Sequence, residues 1–398
     1  MNLFESRYFN LNRLLMSSIG LWPYQKEESR RIKMIFVSFV LLLGIMVQLM
    51  SFITIEYSRD LLTKVFSFSF IVLICTIKYN VLYFKSEQVK YLFERVLYDW
   101  HALTDAEEIK IIQQYANKGR TYTILAGLIV YVGILIFITL FFVPDVLDIV
   151  APLNEPRRHQ LPIVIETFFD QEKYFLFISL NFLVISSIDL TILLTVELLY
   201  VICIQHACGL LKVTSYRILH AFDNHSTIRL QERSIVKSKC AICIKLVKAI
   251  KIHKRSLEFV ECLCSTFSIS YLILCVFWIA SLSINVFELL KAIESKHTNH
   301  AIYLALFITA HLGYIFWVNY FGQNLIDNSI DVFVQTYNVQ WYMVSPHIQK
   351  KILFILHRSS KNVVFDVGNS LFTFSLDGVA ALINSSLSYT MLLYSTRT

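Results

Sequence analysis

Charge is what this 398-residue sequence lacks most: Asp, Glu, Lys and Arg together make up 16% of it, against about a quarter in a soluble domain. That shortage excludes an ordinary water-soluble fold with a surface of mixed charge. Ten glycines and six prolines leave little material for linkers or low-complexity arms, and no soluble domain or short-period repeat stands out. Enzyme chemistry finds no support either. There is no glycine-rich phosphate loop and no His-Glu-x-x-His, and the eleven histidines are mostly loop or boundary residues. No catalytic residue and no cofactor is expected. "CAIC" followed by "CLC" only loosely mimics zinc-ligand spacing, and both stretches look helical, so no metal is expected.

What is present is apolar sequence in long blocks. Hydrophobic residues make up 56% of the chain and aromatics 14%, and the mean hydropathy is +0.57. Blocks such as "MIFVSFVLLLGIMVQLM" (Met34 to Met50) and "LAGLIVYVGILIFITLFFV" (Leu125 to Val143) have the length of bilayer-spanning helices. Seven such segments are expected: Lys33–Ile55, Val65–Phe84, Thr121–Val143, Tyr174–Gln205, Cys264–Leu290, His300–Phe321 and Asn369–Tyr394. The fold class expected is all-α, a polytopic membrane protein in a lipid bilayer, because backbone groups in lipid must be satisfied within the segment.

The net charge of +7 could suggest nucleic acid, but the basic residues lie between the apolar blocks and set orientation instead. With the N-terminus inside, eight of the 36 Lys and Arg fall in outside segments and one, Lys78, within a span; the rest lie inside. No nucleic-acid partner is expected. Basic residues ahead of the first block, Arg30, Arg31 and Lys33, suggest a first helix that starts inside and is not a cleaved signal. All eight cysteines fall in spans or inside segments, where thiols stay reduced. The sequon "NHS" at Asn224 is then cytosolic and unmodified. An inside N-terminus argues against the G-protein-coupled receptors. So does the absence of Asp-Arg-Tyr after the third span, of Asn-Pro-x-x-Tyr in the seventh, and of a cysteine between Pro144 and Lys173.

Ionisable residues within spans invite a functional reading. Lys78 is placed to snorkel to the inner boundary and Glu288 to reach outer headgroups, whereas Asp189 and Glu197 are expected to pair between helices. In the last span, Asp377, Ala381, Ser385, Ser388, Leu392 and Ser395 recur every three or four residues and stay within about 80° of one another on a helix. Two readings fit this small and polar stripe. It either glues one helix to another or lines a watery channel narrowed by Leu392. Periodicity alone leans to packing, and one helix forms a pore only in a symmetric oligomer. Before it, Gly322 to Lys361 is amphipathic, with Val334, Tyr337 and Trp341 at helical spacing and then Ile348, Ile352, Ile355 and Leu356.

These same residues carry a resemblance. Gly322, Ser329, Tyr337, Trp341, Arg358 and the closing "SYTMLL" (Ser388 to Leu393) resemble the C-terminal signature of insect odorant receptors; "LLMSSIGLWPY" and "HQLPIVIETFFD" are similar to weaker family signatures. The resemblance implies a seven-helix subunit, N-terminus inside, in a heterotetramer with the odorant receptor co-receptor. That complex would be a ligand-gated, non-selective channel for monovalent and divalent cations in the plasma membrane of olfactory sensory neurons. It implies a cytoplasmic N-terminus (1–32), six helices with a ligand-binding outer half (33–321), an anchor segment (322–368) and a pore-lining seventh helix (369–398). The anchor would use Tyr337, Trp341 and Arg358. The pore would use Asp377, Ser385, Ser388, Leu392 and Ser395, with Leu392 as constriction, which turns the stripe toward pore lining. A small volatile ligand would meet Phe66, Phe70, Gly133, Phe137, Phe177, Asn181, Tyr303 and Phe307. The absence of the co-receptor's Val-Thr-Tyr ending points to a ligand-specific tuning subunit. The related gustatory receptors are the alternative, but their Thr-Tyr-x-x-x-x-Gln-Phe ending is replaced here by Ser-Tyr and Ser395.

Overall fold

The computed structural model describes residues 6–54, 59–142, 148–150, 173–222, 232–368 and 370–396. The described chain is nearly all helix. A short α1 (Asn10–Ser18) precedes α2 (Glu27–Thr54), α3 (Arg59–Phe84), α4 (Ser86–Ala102) and α5 (Ala106–Phe141). Then come α6 (Phe175–His220), α7 (Glu232–Glu294) and α8 (Thr298–Asn338), a 3-10 turn (Trp341–Met343) and α9 (Pro346–Ser359). An antiparallel hairpin of β1 (Asp366–Val367) and β2 (Phe372–Thr373) leads into α10 (Leu376–Ser395). Seven helices overlap the seven expected spans. Helical stretches long and apolar enough to cross a membrane are Glu27–Ile53, Ala106–Ile136, Phe175–His220, Ala241–Glu294 and His300–Met343, with a shorter apolar stretch at Ser69–Phe84. The last helix is absent from that set because hydroxyls and amides dilute its apolar residues.

Several helices outrun a bilayer. The 63 residues of α7 span roughly 95 Å at 1.5 Å per residue, against a hydrocarbon core of about 30 Å. Helices α5, α6, α7 and α8 continue without a break through segments that the hydropathy pattern reads as inside loops. The expected boundary between 321 and 322 falls within α8. Apolar content marks only the part of a helix suited to lipid, so it misses a polar extension in the same helix. These extensions gather at one end of the bundle. There Arg217 clamps Glu108 at 2.6 and 2.7 Å. Asp99 faces His206 at 3.2 Å and Arg255 at 3.5 Å, Arg95 meets Glu258 at 3.0 Å, and Lys212 meets Asp331 at 2.9 Å. Burial alone would raise the Asp331 carboxyl, but hydrogen bonds from Lys212 and Gln335 outweigh it and hold it below its usual range.

Local chemistry fixes the helix ends. Asp105 accepts from the backbone of Glu107 at 2.9 Å and Glu108 at 3.3 Å, capping α5. Pro346 opens α9 behind Ser345, and His357 and Arg358 occupy its last turn, where cations suit the dipole. The seventh expected segment starts later than hydropathy suggests. Gly368 and Ser370 adopt positive φ (62° and 69°) to turn the hairpin, and the aromatic and β-branched Phe372 and Thr373 pair as strand.

The hub is α6, in which every residue from Leu194 to Leu211 is buried. Its flanks are α1, α2, α3, α5, α7 and α8. Two expectations about charge fail here. Lys78 does not snorkel: it is 1% exposed and paired with Glu197, which also accepts from Tyr314 at 2.6 Å and Tyr271 at 3.0 Å. The Lys78 ammonium stands 4.2 Å from the Tyr271 ring centroid, a favourable contact when desolvated. Glu288 does not reach headgroups either. It is buried against Thr63 and Lys291. In both cases pairing within the bundle replaces contact with water or lipid headgroups, as a charge in an apolar interior requires. The pairing expected of Glu197 is present. Asp189 is buried, but its Oδ1 has no partner. Asn224 and the "HQLPIVIETFFD" stretch lie outside the described residues.

Candidate functional site: the last helix and its joint

The last helix is seated from its first residue. The Ser375 hydroxyl accepts from Gly378 N at 3.1 Å, the usual N-cap. Two side chains of α8 satisfy further amides: Asn319 accepts from Ser375 N at 3.1 Å and Gln323 from Leu376 N at 3.3 Å. Helix α8 comes this close because Gly322 lacks a side chain; a Cβ there would lie 2.1 Å from the Phe374 carbonyl oxygen. Gly378 is as confined, with Thr373 O 2.7 Å from its notional Cβ. Ser329, one of the signature residues, accepts from Val363 N at 2.8 Å and ties α8 to the segment after α9. The sequence drew attention to Gly322 and Ser329 but not to Asn319, Gln323 or Ser375. Polar residues bracketing that glycine were the available signal.

Beyond the joint, the helix divides into three sectors. Gly378, Leu382, Ser386 and Thr390 are its buried residues, packed on α7 and α8. Ser283 of α7 donates to the Ser386 carbonyl at 2.9 Å, and Thr390 donates to the Ser283 carbonyl at 3.2 Å. About 120° around the helix lies the sequence-derived stripe: Asp377, Ala381, Ser388, Leu392 and Ser395 are exposed and Ser385 is half-buried. The Ser388 and Ser395 hydroxyls turn back to their own backbone, on Asn384 O and Leu392 O, both at 2.9 Å. The third sector is bulky and apolar yet exposed: Leu376, Leu387 and Met391. Within one chain, then, the helix-to-helix glue is the Gly378–Thr390 face, not the Asp377–Ser395 stripe.

The residues expected to meet a ligand separate into two groups. Phe66 stacks on Phe70 at 5.6 Å, and Phe70 meets Phe277 at 5.4 Å between α3 and α7. Tyr303 and Phe307 are half-buried on α8, with Phe307 6.2 Å from His311. Gly133 faces open space, Phe177 is 62% exposed, and Asn181 is exposed with its amide on the Phe177 carbonyl at 2.9 Å. The structure does not bring these three to the others. Helices α5 and α6 are apolar all round in their spans, so periodicity does not separate a lipid face from a core face. The Phe137 side chain lies outside the described residues. A cavity does open elsewhere, among Tyr8, Phe9, Trp100, Gly119, Gln205 and His206. There Gln205 Oε1 lacks a protein partner, a setting suited to an ordered water.

The anchor residues also divide. Helix α8 ends at Asn338, so Trp341 is not on the helical face of Val334 and Tyr337; it starts the 3-10 turn, half-buried. Arg358 is half-buried near the end of α9, reaching the Lys361 carbonyl at 3.5 Å. Ile348, Ile352 and Ile355 are buried within the chain, whereas Val334, Tyr337, Tyr342, Met343, Leu353 and Phe354 are exposed. Among the described residues, no group of three or more His, Cys, Asp or Glu could hold a metal ion.

Comparison with known proteins agrees over most of the length. Residues 58–387 match the family model described as 7tm Odorant receptor. The fold is similar to that of the insect olfactory receptor OR5 from Machilis hrabei in complex with eugenol, with TM-score 0.72 and 13% identity, over 98% of this chain and 100% of that one. A second structure of the same receptor gives TM-score 0.70 and 14% identity, over 98% and 99%. A comparison with curated proteins finds no match.

Proposed function

We propose, from the premise that this chain belongs to the 7tm odorant receptor family, that it is the ligand-binding subunit of an odorant-gated non-selective cation channel. In this reading it assembles with the co-receptor in the plasma membrane of olfactory sensory neurons, N-terminus inside and C-terminus outside. The observation that carries the proposal is the three-sector last helix. A lone subunit has use for one packed face only. A subunit of a ring needs three: Gly378–Thr390 toward its own bundle, the bulky sector toward a neighbour, and the Asp377–Ser395 stripe toward the shared axis. Leu392, 56% exposed, then narrows that axis, and a ring of such side chains closes it by dewetting. The exposed apolar residues around Tyr337 and Phe354 serve assembly below the membrane.

The ligand is a small volatile. The Machilis receptor is described with eugenol, and aromatic volatiles of that size make a first panel. Binding draws mainly on burial of apolar area among Phe66, Phe70, Tyr303 and Phe307, at roughly 25 cal/mol per Å². It opens the channel only if the open arrangement binds the ligand more tightly than the closed one. Because α8 bears both Phe307 and the Asn319–Gln323 joint, a shift of α8 is carried to α10 through hydrogen bonds already in place.

The test is access to water in receptors co-expressed with a co-receptor. Ser388→Cys and Leu392→Cys should react with a water-borne thiol reagent and change the current, whereas Ser386→Cys and Thr390→Cys should not. Leu392→Ser should raise current without ligand. Stripe cysteines that stay unreactive in both resting and stimulated receptors would end the channel reading.

A further inference from the structure

Glu197 gives its two oxygens to different parts of the molecule. Oε1 accepts from Lys78 and from the Tyr314 hydroxyl, the latter at 2.6 Å. Oε2 is met, among the described residues, by the Tyr271 hydroxyl at 3.0 Å. A carboxylate is planar, so neither oxygen moves without the other, and its terminal torsion is soft enough to turn. A donor that draws Oε1 aside therefore takes Oε2 with it. In an apolar interior the outcome is two-valued: a bond to a charged group is kept, or both of its members are left bare.

Each oxygen leads to a different region. Tyr314 packs edge-on to Trp278 at 5.2 Å and lies two turns along α8 from Phe307. Phe277, next to Trp278, meets Phe70 at 5.4 Å. The Oε1 side thus borders residues expected to meet a ligand. On the other side, Tyr271 sets its ring against Phe374 at 5.3 Å and Phe365 at 5.7 Å, both edge to face, a favoured aromatic geometry. Phe365 and Phe374 meet at 5.2 Å, and Phe374 N donates to the Phe365 carbonyl at 3.0 Å. All three rings are fully buried. Phe374 immediately precedes Ser375, the N-cap of α10, and its carbonyl is the group that confines Gly322. Tyr200 marks the contrast. Its ring touches Tyr271 at 5.6 Å and Phe365 at 4.9 Å, but its hydroxyl donates to the Val318 carbonyl at 3.4 Å and not to Glu197.

We propose that Tyr271 is a positioning residue for α10. Its hydroxyl follows the orientation of the Glu197 carboxylate, and its ring passes that orientation to Phe374 at the root of the helix. With the bond to Oε2 made, the root is clamped; with it broken, ring and root loosen together. This route runs through α7 and is separate from the Asn319 and Gln323 contacts, which reach α10 from α8. It deepens the channel reading by linking the ligand region to the last helix, and rests on that reading for its effect on current alone.

The test is hydrogen exchange in the purified full-length receptor complex. It is read at the amides of Phe374, Ser375, Leu376 and Gly378, whose acceptors are Phe365 O, Asn319 Oδ1, Gln323 Oε1 and Ser375 Oγ. Tyr271→Phe keeps the ring and removes the hydroxyl, so exchange at these amides should rise about tenfold. Tyr314→Phe removes a donor from the same carboxylate while Lys78 still holds Oε1, and Tyr200→Phe removes a phenol hydroxyl from the same cluster. Neither should change exchange there by more than about twofold. Phe374→Leu should raise it, and adding Tyr271→Phe should then do nothing further, because the ring has lost its partner. Unchanged exchange in Tyr271→Phe, equal rises in Tyr271→Phe and Tyr314→Phe, or additive effects of Tyr271→Phe and Phe374→Leu overturn the proposal. If Tyr271→Phe does not fold, Phe374→Leu decides, and unchanged exchange there overturns it as well. Currents evoked by aromatic volatiles should fall at least about fivefold per surface receptor in Tyr271→Phe, while binding of the same volatiles, measured as thermal stabilisation, stays as in the wild type. No current from any receptor, wild type included, ends the channel reading and leaves the exchange result standing. Full currents in Tyr271→Phe with unchanged exchange remove the coupling and leave the channel.

Discussion

Helices α6 and α10 both interrupt apolar sequence with polar residues, and they treat those residues in opposite ways. In α6 the intruder is Glu197, 4% exposed and met by Lys78, Tyr271 and Tyr314 from three other helices. In α10 the intruders Asp377, Ser388 and Ser395 are exposed, while its buried sector is confined to Gly378, Leu382, Ser386 and Thr390. A polar group in a membrane helix needs a partner. For Glu197, α6 finds it inside the subunit; α10 leaves its exposed polar residues to water or to another subunit. The difference separates a buried, internally paired centre from an exposed polar face.

The largest effect expected comes from opening the α6 centre. Lys78→Met leaves Glu197 buried beside an apolar side chain, which typically costs about 3–5 kcal/mol. Surface expression and thermal stability in detergent should both collapse. Adding Glu197→Leu removes the stranded charge, so the double variant should be more stable than Lys78→Met alone. A double variant no better than the single one would show that Lys78 and Glu197 do not act as a pair.

Next in size is the joint that holds α10. Gly322→Ala sets a methyl 2.1 Å from the Phe374 carbonyl. No rotamer relieves a Cβ, so the two segments must part, at a cost of about 1–3 kcal/mol or more. Stimulated current should fall further than folded protein does, because the parted segments are those joining α8 to α10. Equal losses of current and of folded protein would make the joint a matter of stability alone.

How far the sequence foretold this comparison depended on the kind of information each part needed. The apolar runs were legible as helix, because a bilayer-length block is a local property. The α10 stripe was legible too, since 3- and 4-residue spacing is enough to put Asp377, Ser388 and Leu392 on one face. Its burial was not: which third of the helix touches α7 depends on Ser283, roughly a hundred positions away. Lys78 was misread for the same reason. Nearness to a span end is visible in sequence, whereas a partner 119 residues distant is not. Gly133 faces open space and Phe177 is exposed in the subunit, which their place in the sequence did not announce. Helices apolar all round give no orientation signal. Trp341 was assigned to the face of Tyr337 because no glycine or proline announced the helix end at Asn338.

A smaller effect tests whether the end of the bundle that carries the polar extensions resembles α6 or α10. His253, on the polar extension of α7, is 5% exposed. Burial, reinforced by the charge of Arg358, lowers it from 6.5 to about 4. Its folded value is depressed, so the neutral ring's contribution is whole above pH 6.5 and drains away as pH falls toward 4. Thermal stability of the wild type should decline across that window, and His253→Phe should flatten part of the decline. An unchanged profile in the variant would show that this end, like α10, leaves its polar groups open to water.

The smallest effect bears on α10 itself, where two hydroxyls two residues apart should behave differently. Thr390 joins α10 to α7 through the Ser283 carbonyl at 3.2 Å. Thr390→Val keeps the shape and strands that contact, for a loss of about 1 kcal/mol. Ser388 bonds only to the Asn384 carbonyl on its own helix and is exposed, so Ser388→Ala should shift stability by less than about 0.5 kcal/mol. Conductance should sort the pair the other way, with Ser388→Ala altering single-channel current and Thr390→Val leaving it unchanged. If both variants move stability and neither moves conductance, the three sectors are one packing surface, and α10 belongs with α6 after all.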